Sequence, residues 1–194
     1  MKCLLCIALA CLPAAAAASP ESYTIDPYHT IPHFSLEYHG FGTFTGRFDK
    51  TSGKFTVDRA AKQGSLEFVI ETASLTTGDG ERGTRPRSRD EHLRSVDFFN
   101  VAEFPRMTFR STGVKFNGDL PSEIDGQITL LGITKPVTWK VDRWVCKDHA
   151  VYKRPVCGGN VSATIKRSDF GMKYAIPSIS DEVRLTTLFL GFRD

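Results

Sequence analysis

Much of the chain alternates between apolar and polar residues with a period of two. One such segment places Leu66, Phe68 and Ile70 on one side of an extended chain and Glu67 and Glu71 on the other. Because successive side chains of a β-strand point to opposite faces, this pattern predicts antiparallel strands with one face in a core and the other in water. Later segments repeat the pattern and contribute these further apolar positions: Met107, Phe109, Ile128, Leu130, Val137, Trp139, Val141, Val161, Ala163 and Ile165.

This number of one-sided strands predicts an all-β fold. With few helical segments between them, such strands either close into a barrel or stack as two layers. A closed sheet of this size has room inside for one small apolar ligand. The pattern therefore favours a carrier over an enzyme.

One segment, Gly78 to Pro105, lacks the alternation. Ser88 with Glu91 three residues later forms a capping box, which predicts a short helix here. Phe98, Phe99 and Phe104 follow in an otherwise charged stretch, and we expect all three rings to return to the core. Two interpretations stay open: the segment is a lid against the open end of a barrel, or it is a surface crossover with buried anchors.

The beginning of the chain reads as a secretory signal peptide. A short positive start precedes an apolar run, Leu4 to Leu12, and a stretch of small residues, Ala14 to Ala18. This order is typical of an exported protein, and we expect cleavage after residue 18, which leaves residues 19–194 as one domain. The apolar run is too short to span a bilayer, so we predict no stable membrane insertion. Lipidation of Cys11 is a less favoured alternative.

Export leaves two of the five cysteines, Cys146 and Cys157. Two cysteines in an exported chain are most simply joined in a disulfide. They flank a polar segment, Lys147 to Val156, that reads as a long hairpin loop. A bridge across such a loop stabilises a fold by about 3 kcal/mol in the chain-entropy model. We therefore predict a structural disulfide rather than a redox or metal role.

The net charge excludes a general attraction to nucleic acid or to membrane surfaces. The formal charge of the chain is +3, and it falls to +2 after export because Lys2 is the only charged residue removed. A nearly neutral domain gains little from long-range attraction to an anionic partner.

Candidate catalytic and metal sites are weak. Ser88 and Ser168 lie outside any G-x-S-x-G motif of the kind that exposes a nucleophile. His29 and His33 are four residues apart, about 13 Å along an extended strand, so they share a metal only if Pro32 bends the chain between them. The sequence therefore predicts neither an enzyme nor a metal site.

A cluster of arginines in the Gly78 to Pro105 segment is a candidate site for an anionic head group, since guanidinium groups bind such groups well. Acidic residues are interleaved with them, however, and this favours a solvated loop held by salt bridges. The arginines of the cluster are Arg82, Arg85, Arg87, Arg89 and Arg94.

Five stretches in order resemble one family. They are Tyr23 to Pro27, Phe34 to Leu36, Arg89 to Phe99, Gly132 to Val137 and Ala163 to Met172. Each is modest alone, but together they cover the mature chain from Tyr23 almost to its end. They are similar to the YceI-like family of periplasmic polyisoprenoid-binding proteins.

The resemblance implies an eight-stranded antiparallel barrel of lipocalin type, whose apolar cavity holds an isoprenoid lipid such as a quinone or a polyprenyl lipid. It implies a soluble periplasmic carrier that has this lipid as its bound ligand and needs no cofactor. The rivals are a stress-response structural or interaction module with a filled core and, less favoured, a metal-dependent enzyme. Formation of a homodimer is left open.

Residues on the faces that we assign to the interior are predicted to line the cavity. They are Phe34, Leu36, Phe68, Ile70, Phe98, Phe99, Met107, Phe109, Ile128, Leu130, Trp139, Ala163, Ile165, Phe170 and Met172.

Overall fold

Antiparallel strands account for most of residues 19–194, which are the residues that the computed structural model describes. In chain order the strands are β1 (Glu21–Ile25), β2 (His33–Tyr38), β3 (Gly42–Phe48), β4 (Thr51–Asp58), β5 (Gln63–Glu71), β6 (Leu75–Thr76), β7 (Arg106–Asn117), β8 (Leu120–Leu130), β9 (Ile133–Val141), β10 (Val145–Asp148), β11 (Pro155–Lys166) and β12 (Glu182–Arg193). One α-helix, α1 (Arg89–Arg94), and two 3-10 turns, Thr72–Ser74 and Arg167–Phe170, complete the described part. The signal peptide predicted for residues 1–18 lies outside it.

The sheet closes on itself. Strands β11, β9, β8, β7, β5, β4, β1 and β12 are neighbours in that order, and pairing of β12 with β11 joins the two ends. Strands β1 and β2 both pair with β12, one after the other along its length, and together they occupy one position in the wall. Strands β4 and β3 pair with β1 and β2 respectively, and together they occupy the next position. The prediction of an eight-stranded antiparallel barrel is confirmed, and closure replaces the alternative of two stacked layers.

The bend between β1 and β2 is fixed by a buried threonine. The hydroxyl of Thr30 accepts a hydrogen bond from the amide of Leu190 at 3.1 Å and lies 3.2 Å from its carbonyl oxygen. The carbonyl oxygen of Thr30 accepts a hydrogen bond from the hydroxyl of Thr51 at 2.8 Å. Because buried backbone groups must find partners, these bonds anchor the connection where the two prolines, Pro27 and Pro32, interrupt the strand.

The capping box predicted for the Gly78 to Pro105 segment is present. The Ser88 hydroxyl accepts a hydrogen bond from the amide of Glu91 at 3.1 Å, and the Glu91 carboxylate accepts one from the amide of Ser88 at 2.7 Å. Asp90 is buried and accepts from both the amide and the hydroxyl of Thr77, at 2.9 and 2.6 Å. These bonds fasten the start of α1 to the chain that leaves β6.

Cys146 and Cys157 are joined in a disulfide. The prediction is confirmed, and the two residues face each other in the pairing of β10 with β11. This pairing extends as far as Asp148 and Pro155, so the expected long loop is shortened to the turn between those strands. The disulfide therefore links two paired strands next to the seam where β11 meets β12.

Within residues 19–194, no helix has the length and apolar character that crossing a membrane requires.

Candidate functional site

A cavity of about 350 Å³ lies inside one end of the barrel. Its walls come from β2, β3, β7, β8, β11 and β12, and α1 with the chain from Met172 to Ile179 covers it. We call it the main compartment. It is bordered by Phe34, Leu36, Tyr38, His39, Phe44, Phe48, Arg89, His92, Leu93, Phe98, Phe99, Met107, Leu130, Ile165, Arg167, Met172, Tyr174, Ala175, Ile179, Val183 and Leu185.

A second compartment of about 50 Å³ continues the main one into the barrel. Four side chains border both spaces: Phe34, Phe48, Met107 and Leu185. We call these four residues the collar. A third space, of only about 20 Å³, lies beyond and is bordered by Trp144. The interior is therefore roomy at one end and nearly filled beyond the collar.

Most of the residues predicted to line a cavity do border one of these spaces. The predicted residues at the main compartment are Phe34, Leu36, Phe98, Phe99, Met107, Leu130, Ile165 and Met172. Those that border the second compartment but not the main one are Phe68, Ile70, Phe109, Ile128 and Trp139.

Ala163 and Phe170 are buried but border neither compartment. Ala163 lies on the inward face of β11 between Val161, at the second compartment, and Ile165, at the main one. Phe170 belongs to the 3-10 turn after β11 and is only 2 % exposed, so its ring is part of the packed core.

The sequence reasoning missed several lining residues. Val183 and Leu185 alternate with Glu182 and Arg184 on β12, and the same period of two identifies them. The chain from Met172 to Ile179 shows no such period, and its place at the cavity follows only from the tertiary structure.

Phe98 and Phe99 form part of the wall of the main compartment. The Phe99 ring meets Phe48 edge to face, with 5.4 Å between ring centroids, and lies 6.4 Å from Phe34. The Phe98 ring lies 5.3 Å from that of Tyr174. The segment therefore covers this end of the barrel with buried aromatic rings, as the lid interpretation requires.

Arg167 is buried beneath the chain that covers the cavity. Its guanidinium group donates hydrogen bonds to four backbone carbonyl oxygens, those of Met172, Tyr174, Ile179 and Ser180, at 2.8 to 3.2 Å. Burial lowers the pKa of Arg167, and the nearby Asp181 carboxylate opposes that shift. Because four of its five N–H donors bind these carbonyls, Arg167 holds the covering chain in place.

Most arginines of the predicted cluster are held by acidic or carbonyl partners. Arg85 forms two hydrogen bonds to Asp79, at 2.7 and 2.6 Å, and these lower the pKa of that carboxyl group. Arg87 pairs with Asp97 at 3.0 Å. The geometry thus favours the salt-bridged loop over an anion site built from the whole cluster.

Arg89 is the arginine of the cluster that borders the main compartment. Its guanidinium carbon lies 4.9 Å above the centre of the Phe44 ring, and its nearest carboxylate, that of Asp79, is 3.8 Å away. Together with Tyr38 and Tyr174, both exposed, Arg89 forms what we call the rim of the compartment.

Among residues 19–194, His, Cys, Asp and Glu side chains form no group of three or more suited to a metal ion. The nitrogen Nδ1 of His29 lies 2.6 Å from a carboxylate oxygen of Asp26. His33 opens β2 after the bend.

Comparison of the sequence with protein-family models identifies a family to which this closed eight-stranded barrel belongs. The model of the YceI-like domain matches residues 23–189. The chain belongs to the YceI-like family. A curated relative from Pseudomonas aeruginosa, a UPF0312 protein, is 36 % identical over 182 residues, which cover 92 % of this chain and 91 % of the relative.

Solved structures of similar barrels show the same fold at lower identity. Burkholderia cenocepacia BcnA superposes with a TM-score of 0.68 at 21 % identity, over 86 % of this chain and 98 % of BcnA. A polyisoprenoid-binding domain from Saccharophagus degradans superposes with a TM-score of 0.62 at 17 % identity, over 90 % of this chain and 99 % of that domain. The YceI-like barrel is thus the fold of this chain as well.

Proposed function

We propose that this YceI-like protein is a periplasmic carrier that binds an isoprenoid lipid, of the quinone or polyprenyl type, in the main compartment. The observation that carries the proposal is a cavity of about 350 Å³ inside the barrel whose walls are mostly apolar side chains. The proposed action is binding, without a chemical step.

The physical basis of binding is the removal of an apolar tail from water. This stabilises a complex by about 25 cal/mol for each Å² of apolar surface buried. An isoprenoid tail has no polar group that needs a partner, so aromatic and aliphatic walls hold it without loss of hydrogen bonds. A polar head group then remains at the rim, where Tyr38, Arg89 and Tyr174 meet the solvent.

Two further observations support the ligand class and the location. The Saccharophagus degradans domain that shares this fold is a polyisoprenoid-binding domain. The disulfide between Cys146 and Cys157 is typical of a protein that folds in an oxidising compartment such as the periplasm. The signal peptide expected at residues 1–18 agrees with export.

The second candidate is a structural or interaction module without a lipid. The nearly filled space beyond the collar favours it, because a packed interior at ordinary density holds no ligand. The main compartment favours the carrier, since packed cores rarely leave voids of that size.

Organic extraction of the protein purified from the periplasm, followed by mass spectrometry, decides between them. We expect an isoprenoid lipid from the wild-type protein and its loss from Leu36→Trp, because Leu36 borders the main compartment and the larger indole ring takes space from the ligand. Leu188→Trp is the matched control, because Leu188 is 45 % exposed on the outside of β12. An extract without lipid from correctly folded wild-type protein contradicts the carrier function.

A further inference from the structure

The tip of the hairpin between β2 and β3 holds an aromatic ring in solvent. Phe41 is 91 % exposed, more than any other large apolar side chain among residues 19–194. Two hydrogen bonds fix the backbone of this tip. The amide of His39 donates to the carbonyl oxygen of Ser178 at 2.7 Å, and the amide of Phe41 donates to that of Tyr38 at 3.0 Å. Single exposed rings are common on protein surfaces, so the surroundings of Phe41 decide whether it has a role.

The hairpin tip lies beside the opening of the main compartment. Tyr38 and His39 border that compartment, and the bond from His39 to Ser178 joins the tip to the chain that covers it. Tyr174, on the covering chain, also borders the compartment and is 47 % exposed. Phe41 borders neither compartment, so its ring stands outside the cavity. We call Tyr38, Phe41 and Tyr174 the aromatic patch.

The charges at the opening are positive. Among residues 19–194, no aspartate or glutamate borders the main compartment, whereas Arg89 does. The side chain of Arg89 is 41 % exposed, and Asp79, 3.8 Å from it, already accepts two hydrogen bonds from Arg85. Lys173, next to Tyr174 in the chain, is exposed. Aromatic rings beside exposed cations match the boundary of a bilayer, where apolar chains meet phosphate groups.

We propose that the aromatic patch, together with Arg89 and Lys173, docks the protein on a bilayer that contains anionic phospholipid. Phe41 enters the interfacial layer, and the opening of the main compartment then faces the lipid. This inference rests on the proposed function, since a carrier of a water-insoluble isoprenoid has to take its ligand from a bilayer. Aromatic rings are suited to this layer because they bury apolar surface at the level of the head groups.

The docking is peripheral and reversible. Membrane affinity grows with the apolar area buried and with the attraction between cations and anionic lipids. One fully exposed ring and two partly exposed ones bury little apolar area. The net charge of +2 after export gives little long-range attraction of the whole protein to a membrane. Contact therefore depends on the groups around the opening.

Sedimentation with vesicles tests the docking. The vesicles consist of phosphatidylethanolamine and phosphatidylglycerol and hold no isoprenoid, so the measurement does not depend on the ligand. We expect the wild-type protein to bind them, and Phe41→Ser to lower the ratio of bound to free protein at least about fivefold, because less apolar surface is buried.

Tyr28→Ser is the matched control, since Tyr28 is 84 % exposed but borders neither compartment. It should change the ratio by less than about 1.5-fold. Equal losses in the two variants, or no loss in Phe41→Ser, overturn the proposal.

Replacement of the two cations tests the role of charge. Arg89→Gln with Lys173→Gln should lower binding to these vesicles at least about threefold and change binding to phosphatidylcholine vesicles by less than about 1.5-fold. Lys147→Gln with Lys153→Gln is the control, since both lysines are exposed near the start of β11 and the main compartment lies near its end, at Ile165. The same loss in both double variants indicates a general charge effect and overturns docking at the opening.

A tryptophan at position 41 reports whether the ring enters the lipid. Phe41→Trp should show a blue-shifted emission with vesicles and quenching by phospholipids brominated on their acyl chains, and Tyr28→Trp should show neither. The native Trp139 and Trp144 border interior spaces, so each variant is read against the wild-type protein. Phe41→Trp fluorescence that vesicles leave unchanged overturns the insertion of this ring.

A second copy of the chain is the alternative cover for Phe41. Sedimentation velocity without vesicles tests it, and we expect Phe41→Ser to leave the oligomeric state unchanged. A dimer that this substitution dissociates assigns the ring to a contact between two chains and overturns the proposal. Wild-type protein that binds no vesicles also overturns the docking but leaves the carrier function standing, because that function is decided by the extracted lipid.

Discussion

The ring of Phe34 lies directly over Gly46, its cross-strand neighbour, so that a Cβ atom on Gly46 would stand 2.3 Å from Cζ of the ring. A similar contact joins Gly126 on β8 to the ring of Phe109 on β7, which lies diagonally across the two strands, with a corresponding distance of 2.4 Å. The two glycines leave room for these rings against the wall of the barrel.

Gly46→Ala tests this contact. The added methyl group must displace Phe34, and we expect a loss of about 1–3 kcal/mol of stability, as for other overpacked sites. Denaturant unfolding measures the loss of stability. The loss should be smaller when Gly46→Ala is made in a Phe34→Leu protein, because the Phe34 ring that the methyl group meets is absent. Gly113→Ala is the control, since a Cβ atom there meets nothing within 4 Å. Equal losses at the two glycines would show that the contact is unimportant.

The phenylalanine rings of the Gly78 to Pro105 segment should also contribute strongly to the free energy of unfolding. We expect Phe99→Ala to cost about 3–5 kcal/mol, the range for a buried large-to-small change, because Phe99 is 8 % exposed and contacts Phe34 and Phe48. Phe41→Ala serves as the control, since Phe41 is 91 % exposed, and it should change stability by less than about 0.5 kcal/mol. A loss below that value at Phe99 would refute the lid interpretation.

The disulfide is expected to stabilise the protein without touching the cavity. Thiol labelling of the exported protein under non-reducing, denaturing conditions should find Cys146 and Cys157 blocked. Replacing both by serine should lower the free energy of unfolding by about 3 kcal/mol in the chain-entropy model. Lipid occupancy at a temperature where both proteins are folded should stay unchanged, because neither cysteine borders the main compartment. Two reactive thiols in each wild-type chain would contradict the bond.

Acid should destabilise the protein through Asp181, whose carboxylate binds the 3-10 turn after β11. Burial raises the pKa of this carboxyl group, but hydrogen bonds from the Ser168 amide and hydroxyl, at 2.8 and 2.7 Å, outweigh burial and leave the pKa below its ordinary value. Because the folded-state pKa is the lower one, the stabilisation is present above the unfolded-state pKa and is lost as the pH falls through the folded value.

Asp181→Asn should therefore be less stable than the wild type at neutral pH, and the difference should narrow in acid. Urea unfolding at a series of pH values measures it. Asp169→Asn is the control on the same turn. A difference between Asp181→Asn and the wild type that stays constant across the acid range would show that the charge of Asp181 plays no part.

The sequence predicted the inward face of the strands because the period of two depends only on local chain geometry. Leu66, Phe68 and Ile70 are buried as the alternation requires. The collar could not be predicted in this way. Phe34 and Leu185 are far apart in the chain, and their contact depends on the register of β2 with β12. The cover near Ile179 likewise depends on Arg167, whose bonds to carbonyl oxygens leave no periodic trace in the sequence.

The most direct test of the carrier is to fill the interior at the boundary between its compartments. Ala163 lies on the inward face of β11 between Val161 and Ile165, so Ala163→Phe directs a ring toward the space between the two compartments. We expect a stability loss of about 1–3 kcal/mol from overpacking and a larger effect on binding, with little or no lipid extracted from the variant. Thr164→Phe is the control, because Thr164 follows Ala163 on β11, is exposed and points outward.

Stability and lipid occupancy must be measured on the same preparations. A folded Ala163→Phe protein without lipid, beside a Thr164→Phe protein that keeps it, supports a cavity whose purpose is to hold a ligand. A folded Ala163→Phe protein that retains full occupancy would mean that the ligand lies elsewhere. The rival, a structural module, predicts no lipid in any of the three proteins, because a barrel that serves only as a scaffold gains nothing from an open interior.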